Sequence, residues 1–289
     1  MNFVTLLSLF DTHGSVAFYG CEIWEFHSVP DFEKVHLDFC KNLLGVSRRT
    51  NNVLIYIETG RMPLKYVRLI RMFKFWFKLL NSNNCILSEI YSSMFDDCEN
   101  NNVRCNNWLH YIKQELSLLG LGYLWHLQAA LTIEVHLPLI KQRILDQCAQ
   151  SLFAEVSISQ KCVVYKHLVD HFCLQYYLCK PIPMFCKKQI CKIRLSSHNL
   201  LIESGRSLNI PRNERICQIC NSDIEDEFHF VLKCPAYRDL RKKYIKQYYW
   251  RRPSVFKLVQ LLSVNNIKDL CLLGKYLRDA FNLRSNLLR

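Results

Sequence analysis

The chain has 289 residues, half of them hydrophobic, with only eight glycines and eight prolines. That much apolar surface fits one large domain or two modest ones and excludes a chain disordered throughout, while abundant Leu, Ile, Lys and Arg favour helices over a β-sandwich. The formal charge of +13 is uneven: residues 1–179 hold 16 Lys and Arg against 16 Asp and Glu, and residues 180–289 hold 22 against nine.

Helical periodicity then dominates the chain. Phe32, Val35, Phe39 and Leu43 fall on one helical face between Pro30 and Gly45. Ser47–Thr59 is richer in β-branched residues, and we expect a short extended piece there. Pro63 opens a helix that runs to about Leu80. Trp108–Leu119, Val135–Glu155 and Val164–Leu178 read as helices, and so do residues 184–204 beyond the break at Pro181 and Pro183. Asn81–Asn84 and Glu99–Asn107 are polar loops. The favoured boundary is at residues 205–215, where Gly205 and Pro211 sit among polar residues. The expected division is 1–80, 81–204, a small module over 205–250, and a helical tail over 251–289.

Fifteen cysteines are scattered through apolar stretches. The apolar run Phe3–Phe10 lacks a basic lead and stops at Asp11, so it does not read as a signal peptide. We therefore expect reduced thiols and a cytosolic or nuclear compartment. The longest apolar stretch, Leu116–Ile133, is interrupted by Gly120, Gly122, His126 and Gln128, so no transmembrane helix and no membrane partner are expected.

The sharpest motif is Cys217-x2-Cys220-x8-His229-x4-Cys234. Zinc favours four thiolate or imidazole ligands in a tetrahedron, and a Cys-x2-Cys turn supplies two thiolates with little strain. Four protein ligands leave no open position, so the expected zinc is structural. The ordinary alternative is four unrelated residues in a cysteine-rich chain. Asp223, Glu225, Asp226 and Glu227 make the intervening loop acidic, which would repel phosphate. Lys233, Arg238, Arg241, Lys242, Lys243, Lys246, Arg251 and Arg252 flank the motif, and Tyr237, Leu240, Tyr244 and Tyr248 recur at helical steps. Aromatics interleaved with cations suit single-stranded nucleic acid; they also suit a helix packed on its own domain. A second basic stretch carries Arg61, Lys65, Arg68, Arg71, Lys74 and Lys78, with no acidic residue from Arg61 to Ser88. It reads as a solvated helical face or as a further nucleic-acid contact.

His167, His171 and Cys173 read as core or partly exposed side chains, and Cys186 and Cys191 as buried, inert thiols. Met94-Phe95-Asp96-Asp97 reads as a polar helix end. No Gly-rich phosphate loop points to a small-molecule substrate.

Several segments together resemble a known family. Tyr19–Trp24, Val35–Gly45, Gly60–Leu64, Lys141–Gln147 and Ile190–His198 resemble the region after the palm in non-LTR retrotransposon reverse transcriptases of invertebrates. Arg215–Tyr244 is similar to the zinc-binding element at the end of such proteins. The resemblance covers roughly residues 10–250. It implies a mainly α architecture: a helical thumb and linker, a Cys-Cys-His-Cys zinc module and a basic helical tail. It also implies binding of template RNA or target DNA, and an intact element's polymerase region as a further partner. The family's palm aspartates are not matched, so no catalysis is expected. The rival expectations are a zinc-stabilised helical module that binds protein, and a truncated retroelement product without activity.

Overall fold

The computed structural model describes residues 3–8, 19–24, 30–100, 107–128, 131–159, 161 and 163–289. The fold is mainly α, as expected. The principal helices are α1 (Pro30–Leu44), α2 (Asn52–Thr59), α3 (Leu64–Leu80), α4 (Cys85–Glu99), α5 (Trp108–Leu118), α6 (Ile133–Ile158), α7 (Met184–Arg194), α8 (Leu201–Ser207), α9 (Arg238–Tyr244), α10 (Val255–Leu262) and α11 (Ile267–Leu287). Among the described residues the only β contacts are isolated bridges, Thr59 with Leu174 and Ile216 with Ile224. No helix among them is long and apolar enough to cross a membrane. Most of the polar loop expected at Glu99–Asn107 lies outside the described residues.

The chain divides into two compact units. The first comprises residues 1–10, 36–61 and 154–289, and the second residues 11–35 and 62–153. The expected boundary at 205–215 therefore falls inside the first unit.

In the second unit α3 is the central helix. Leu69, Met72, Phe73, Trp76 and Phe77 are buried at helical steps. The Trp76 indole donates to the Tyr91 hydroxyl at 3.0 Å, and Tyr91 donates to Gln128. The Trp108 indole donates to the Glu22 carbonyl at 2.6 Å. Helix α4, which periodicity missed, has no buried residue and is started by the Asn84 side chain accepting from Leu87 N–H. Met94–Asp97 lies near its end, as the sequence indicated.

The first unit corrects four expectations. Residues 52–59 are helical rather than extended: Asn51 caps them by accepting from Val53 N–H, and the β-branched residues are there because Val53, Ile55 and Ile57 are buried. Residues 164–178 do not form one helix; short helical turns at Tyr165–His167 and Tyr176–Cys179 flank a non-helical stretch that bends at His171–Cys173. That stretch crosses Gly60, where a Cβ would lie 2.3 Å from Leu174 N, and Gly60 itself has φ +62°. Residues 184–204 break after α7, where Ser196 takes φ +48°. The C-terminal segment, expected as a tail, supplies core: Leu270, Leu273, Tyr276, Leu277 and Ala280 of α11 are buried. Gly274 lets α11 approach α7 closely, since a Cβ there would lie 2.5 Å from the Cys186 side chain.

Glu58 organises the first unit. Its carboxylate is fully buried and accepts from Tyr165 Oη at 2.8 Å, Tyr177 Oη at 2.5 Å and Arg194 Nε at 2.8 Å. Arg194 also donates to the Leu262 carbonyl and the Gln175 side chain, both at 2.9 Å. Removing one partner strands the other charge in the interior. Glu58→Ala should therefore lower unfolding free energy by roughly 3–5 kcal/mol, read from the urea midpoint. An unchanged midpoint would mean that Arg194 is satisfied without Glu58.

Candidate metal centre

The Cys-Cys-His-Cys motif folds in two halves. In the first, Cys217 N–H donates to the Asp223 carbonyl and Glu225 N–H to the Arg215 carbonyl, which closes a tight loop around the bridge between Ile216 and Ile224. Asn221 turns that loop with φ +51°, a conformation that Asn tolerates better than most residues. In the second, the Asp226 carboxylate accepts from His229 N–H at 2.7 Å and starts a helical turn. The turn is widened, with Cys234 N–H donating to the His229 carbonyl five residues back, and such wide turns often serve functional sites. Pro235 then ends it.

One ligand atom from each of Cys217, Cys220, His229 and Cys234 lies within 4.8 Å of all the others. Cys220 Sγ is 3.2 Å from His229 Nε2 and 3.1 Å from the Ser222 hydroxyl. A tetrahedral site with metal–sulfur bonds of about 2.3 Å has edges of about 3.8 Å, so small side-chain rotations close the four onto one ion. Cys217, His229 and Cys234 are buried, and Cys220 is partly exposed. Burial pushes the Cys217 thiol up, the Cys234 thiol up to about 12, and His229 down. Burial also raises Cys220, but hydrogen bonds from Ser222, Cys217 and Cys234 bring it below its ordinary value. His229 Nδ1 is buried without a hydrogen-bond partner. Three thiols and an imidazole packed this closely form a donor set that can hold a metal ion.

The surroundings correct the electrostatic reading of the loop, because its carboxylates are largely spoken for. Glu225 is buried and bound by Arg284 through two hydrogen bonds of 2.7 and 2.8 Å. It also accepts from Leu201 N–H at 2.7 Å. Glu227 is buried and accepts from Ser196 Oγ and His198 Nε2. Asp226 is the cap just described, and Asp223 pairs with Lys233 at 3.0 Å. Sequence reasoning missed Arg284 and His198. The signal for Arg284 was its place on the stripe Leu273, Leu277, Ala280, Arg284, all buried.

Of the predicted nucleic-acid residues, Arg238, Lys242, Lys243, Lys246, Arg251 and Arg252 are exposed beside the motif. Lys242 pairs with Asp239 at 3.4 Å and Lys246 with Asp269 at 2.6 Å. Arg241 is a correction: it is buried and donates to the carbonyls of Lys233 and Cys234. It holds the last ligand's backbone instead of facing solvent. The helix expected to continue past Tyr244 stops there, because Ile245 is extended. Tyr237 is buried, whereas Tyr248 is exposed.

On α3, Lys65, Lys74 and Lys78 are exposed and Arg71 is half-buried. Arg68 is a second correction, for it is buried in the row Leu64, Arg68, Met72, Trp76 that faces inward. Arg61 belongs to the first unit, half-buried, and donates to His36 Nε2 at 2.9 Å and the Leu7 carbonyl at 3.1 Å. His167, His171 and Cys173 are exposed and share no helical face. Cys186 and Cys191 are buried and their thiols are pushed up by burial, to about 11 for Cys186.

Arg241→Gln should weaken the motif's metal affinity and lower its thermal midpoint, because hydrogen bonds from a charged donor are worth roughly 1.5–3 kcal/mol. Lys242→Gln with Lys243→Gln should change neither. Chelator competition and thermal melting read both; equal behaviour of the two variants would place Arg241 outside the support of the site. Compared with known proteins, the chain matches no family model, no curated protein and no solved structure.

Proposed function

We propose that the chain is a non-catalytic, nucleic-acid-binding C-terminal part of a non-LTR retrotransposon reverse transcriptase, built around a structural zinc. The observation that carries the reading is the convergence of Cys217, Cys220, His229 and Cys234 within 4.8 Å. Three thiolates and an imidazole in a tetrahedron select zinc over harder cations, and with all four positions filled by protein the ion cannot activate water. When bound, it locks the two halves of the module together; the chain's own residues do the remaining work. Arg241 fixes the backbone at Cys234, and Arg284 and Tyr276 anchor the module to α11.

The exposed cations Arg238, Lys242, Lys243, Arg251 and Arg252, with Tyr248, form the surface offered to RNA or target DNA. Lys65, Lys74 and Lys78 on α3 offer a second one in the other unit. Asp96 and Asp97 lie near the end of α4, so they are not read as a pair of polymerase aspartates. A protein-binding module is favoured instead by α4, whose Ile86, Leu87 and Ile90 are exposed.

Metal analysis after dialysis should find one zinc per chain, lost in Cys220→Ser. Stripping the metal should unfold residues 215–237 and loosen α11, read as lost amide-exchange protection there while α3 stays protected. A ratio near zero would end the zinc reading. Binding of single-stranded RNA across a salt series should show log K falling by about 0.7 per phosphate contacted per decade of salt. Lys242→Gln with Lys243→Gln should flatten that slope. Absence of any salt slope would favour the protein-binding module.

A further inference from the structure

A cavity of about 760 Å³ opens in the first unit between the turn after α1, the segment from α7 to α8, and α11. Its size is that of a site for a small molecule or a piece of a larger one. Arg49, Lys161, Lys192, Arg206 and Arg278 line it against a single carboxylate, Glu203. Arg206 pairs with that carboxylate at 3.4 Å, and Arg278 pairs with Asp279 at 3.0 Å. Arg49, Lys161 and Lys192 make no ion pair among the described residues. None of these five cations belongs to the surface proposed above.

The rest of the lining is as informative as the charge. Ser197 Oγ accepts from Ser47 N–H at 2.8 Å and from Thr50 Oγ1 at 3.0 Å, so its own hydroxyl proton is left to donate. His198 is fully buried at its side chain, with Nε2 on the Glu227 carboxylate at 3.0 Å and Nδ1 buried without a partner. Gln189 Oε1, on another lining residue, is a buried acceptor without a donor. Phe281 adds a half-buried ring, stacked on Phe230 at 4.7 Å and on His198 at 6.5 Å between ring centres. The cavity therefore asks for an anion, for hydrogen-bond donors and for a flat apolar surface. A free phosphate supplies the anion and a P–OH donor but no flat apolar surface. A nucleotide supplies all three, through its phosphate, its hydroxyl and amino groups, and its base.

We propose that this cavity binds a nucleotide, with the phosphate on Arg49, Lys161 and Lys192 and the base against Phe281. The nucleotide is either one unit of a single-stranded RNA, in which case the site rests on the nucleic-acid reading above, or a free mononucleotide. Two probes separate the sources: a short oligouridylate with hydroxyls at both ends, and uridine 5′-monophosphate, each titrated calorimetrically into the full zinc-loaded chain, with inorganic phosphate for reference.

Arg49→Gln with Lys192→Gln should weaken oligouridylate about tenfold and flatten its salt slope by about 1.4, two contacts at about 0.7 each. Uridine monophosphate should bind more tightly than inorganic phosphate and lose affinity in the same variant. Both side chains are free of ion pairs, so the thermal midpoint should not move. If this variant binds both probes like the parent while Lys242→Gln with Lys243→Gln weakens oligouridylate, the cavity is overturned and the nucleic-acid reading stands. If the mononucleotide alone binds and is lost in the variant, the cavity stands and the nucleic-acid reading fails. Equal affinity for inorganic phosphate and uridine monophosphate, or no binding of either nucleotide probe, overturns the cavity assignment.

Discussion

A carboxylate with no accessible surface must be satisfied from within, and Glu58 sets that condition for the first unit. Burying an ion costs several kcal/mol even after relaxation, and it is tolerated only when donors fill the lone pairs. Tyr165, Tyr177 and Arg194 fill them, from positions more than a hundred residues along the chain. Bringing Tyr165 and Tyr177 to one carboxylate is incompatible with a single straight helix over 164–178. The intervening chain instead leaves the helix and passes Gly60, where Thr59 and Leu174 pair. Arg194 carries the same constraint onward by donating to the last carbonyl of α10.

The Cys-Cys-His-Cys module depends on this framework through α11. A segment of its length cannot bury enough apolar surface to hold itself together. It borrows a core instead: Tyr276 donates to the carbonyls of Phe230 and Val231, Phe281 stacks on Phe230, and Arg284 clasps Glu225. Gly274 brings α11 against Cys186 on α7. The Cys-Cys-His-Cys cluster and the packing of the last helix are thus parts of one structure, which is why the segment drawn from sequence as a tail supplies core side chains.

What was legible in the sequence were features fixed by local chemistry. Pro63 before an apolar helix, Gly45 after one, and the cysteine and histidine spacing each impose their conformation within a few residues. Features set by distant partners were not legible. Val53, Ile55 and Ile57 alternate as a strand would, but burial on all sides of a short helix selects the same residues. Glu58 reads as an ordinary surface acid until Arg194 is placed beside it. Arg68 and Arg241 read as surface cations because their neighbours are basic, although each falls on a helical row whose other members face inward. The His198 cavity left no sequence mark, since its walls come from four separate stretches of chain.

The charge excess is therefore a poor guide to where phosphate can go. Burying Arg194 with Glu58, or Arg284 with Glu225, removes one charge of each sign and leaves the surface balance unchanged. Arg215 and Arg241 are different, because they are bound by carbonyls and withdraw positive charge without withdrawing negative. Arg241 also lies against the backbone of a ligand in the proposed site, which with three thiolates, an imidazole and a zinc dication carries a formal charge of −1. Its single positive charge balances that site at close range, where solvent screens little. The cations left for a polyanion are those with neither a carboxylate nor a carbonyl to hold them. Arg49, Lys161 and Lys192 at the cavity meet that condition more fully than Lys242 and Lys246, whose ion pairs a phosphate would first have to displace.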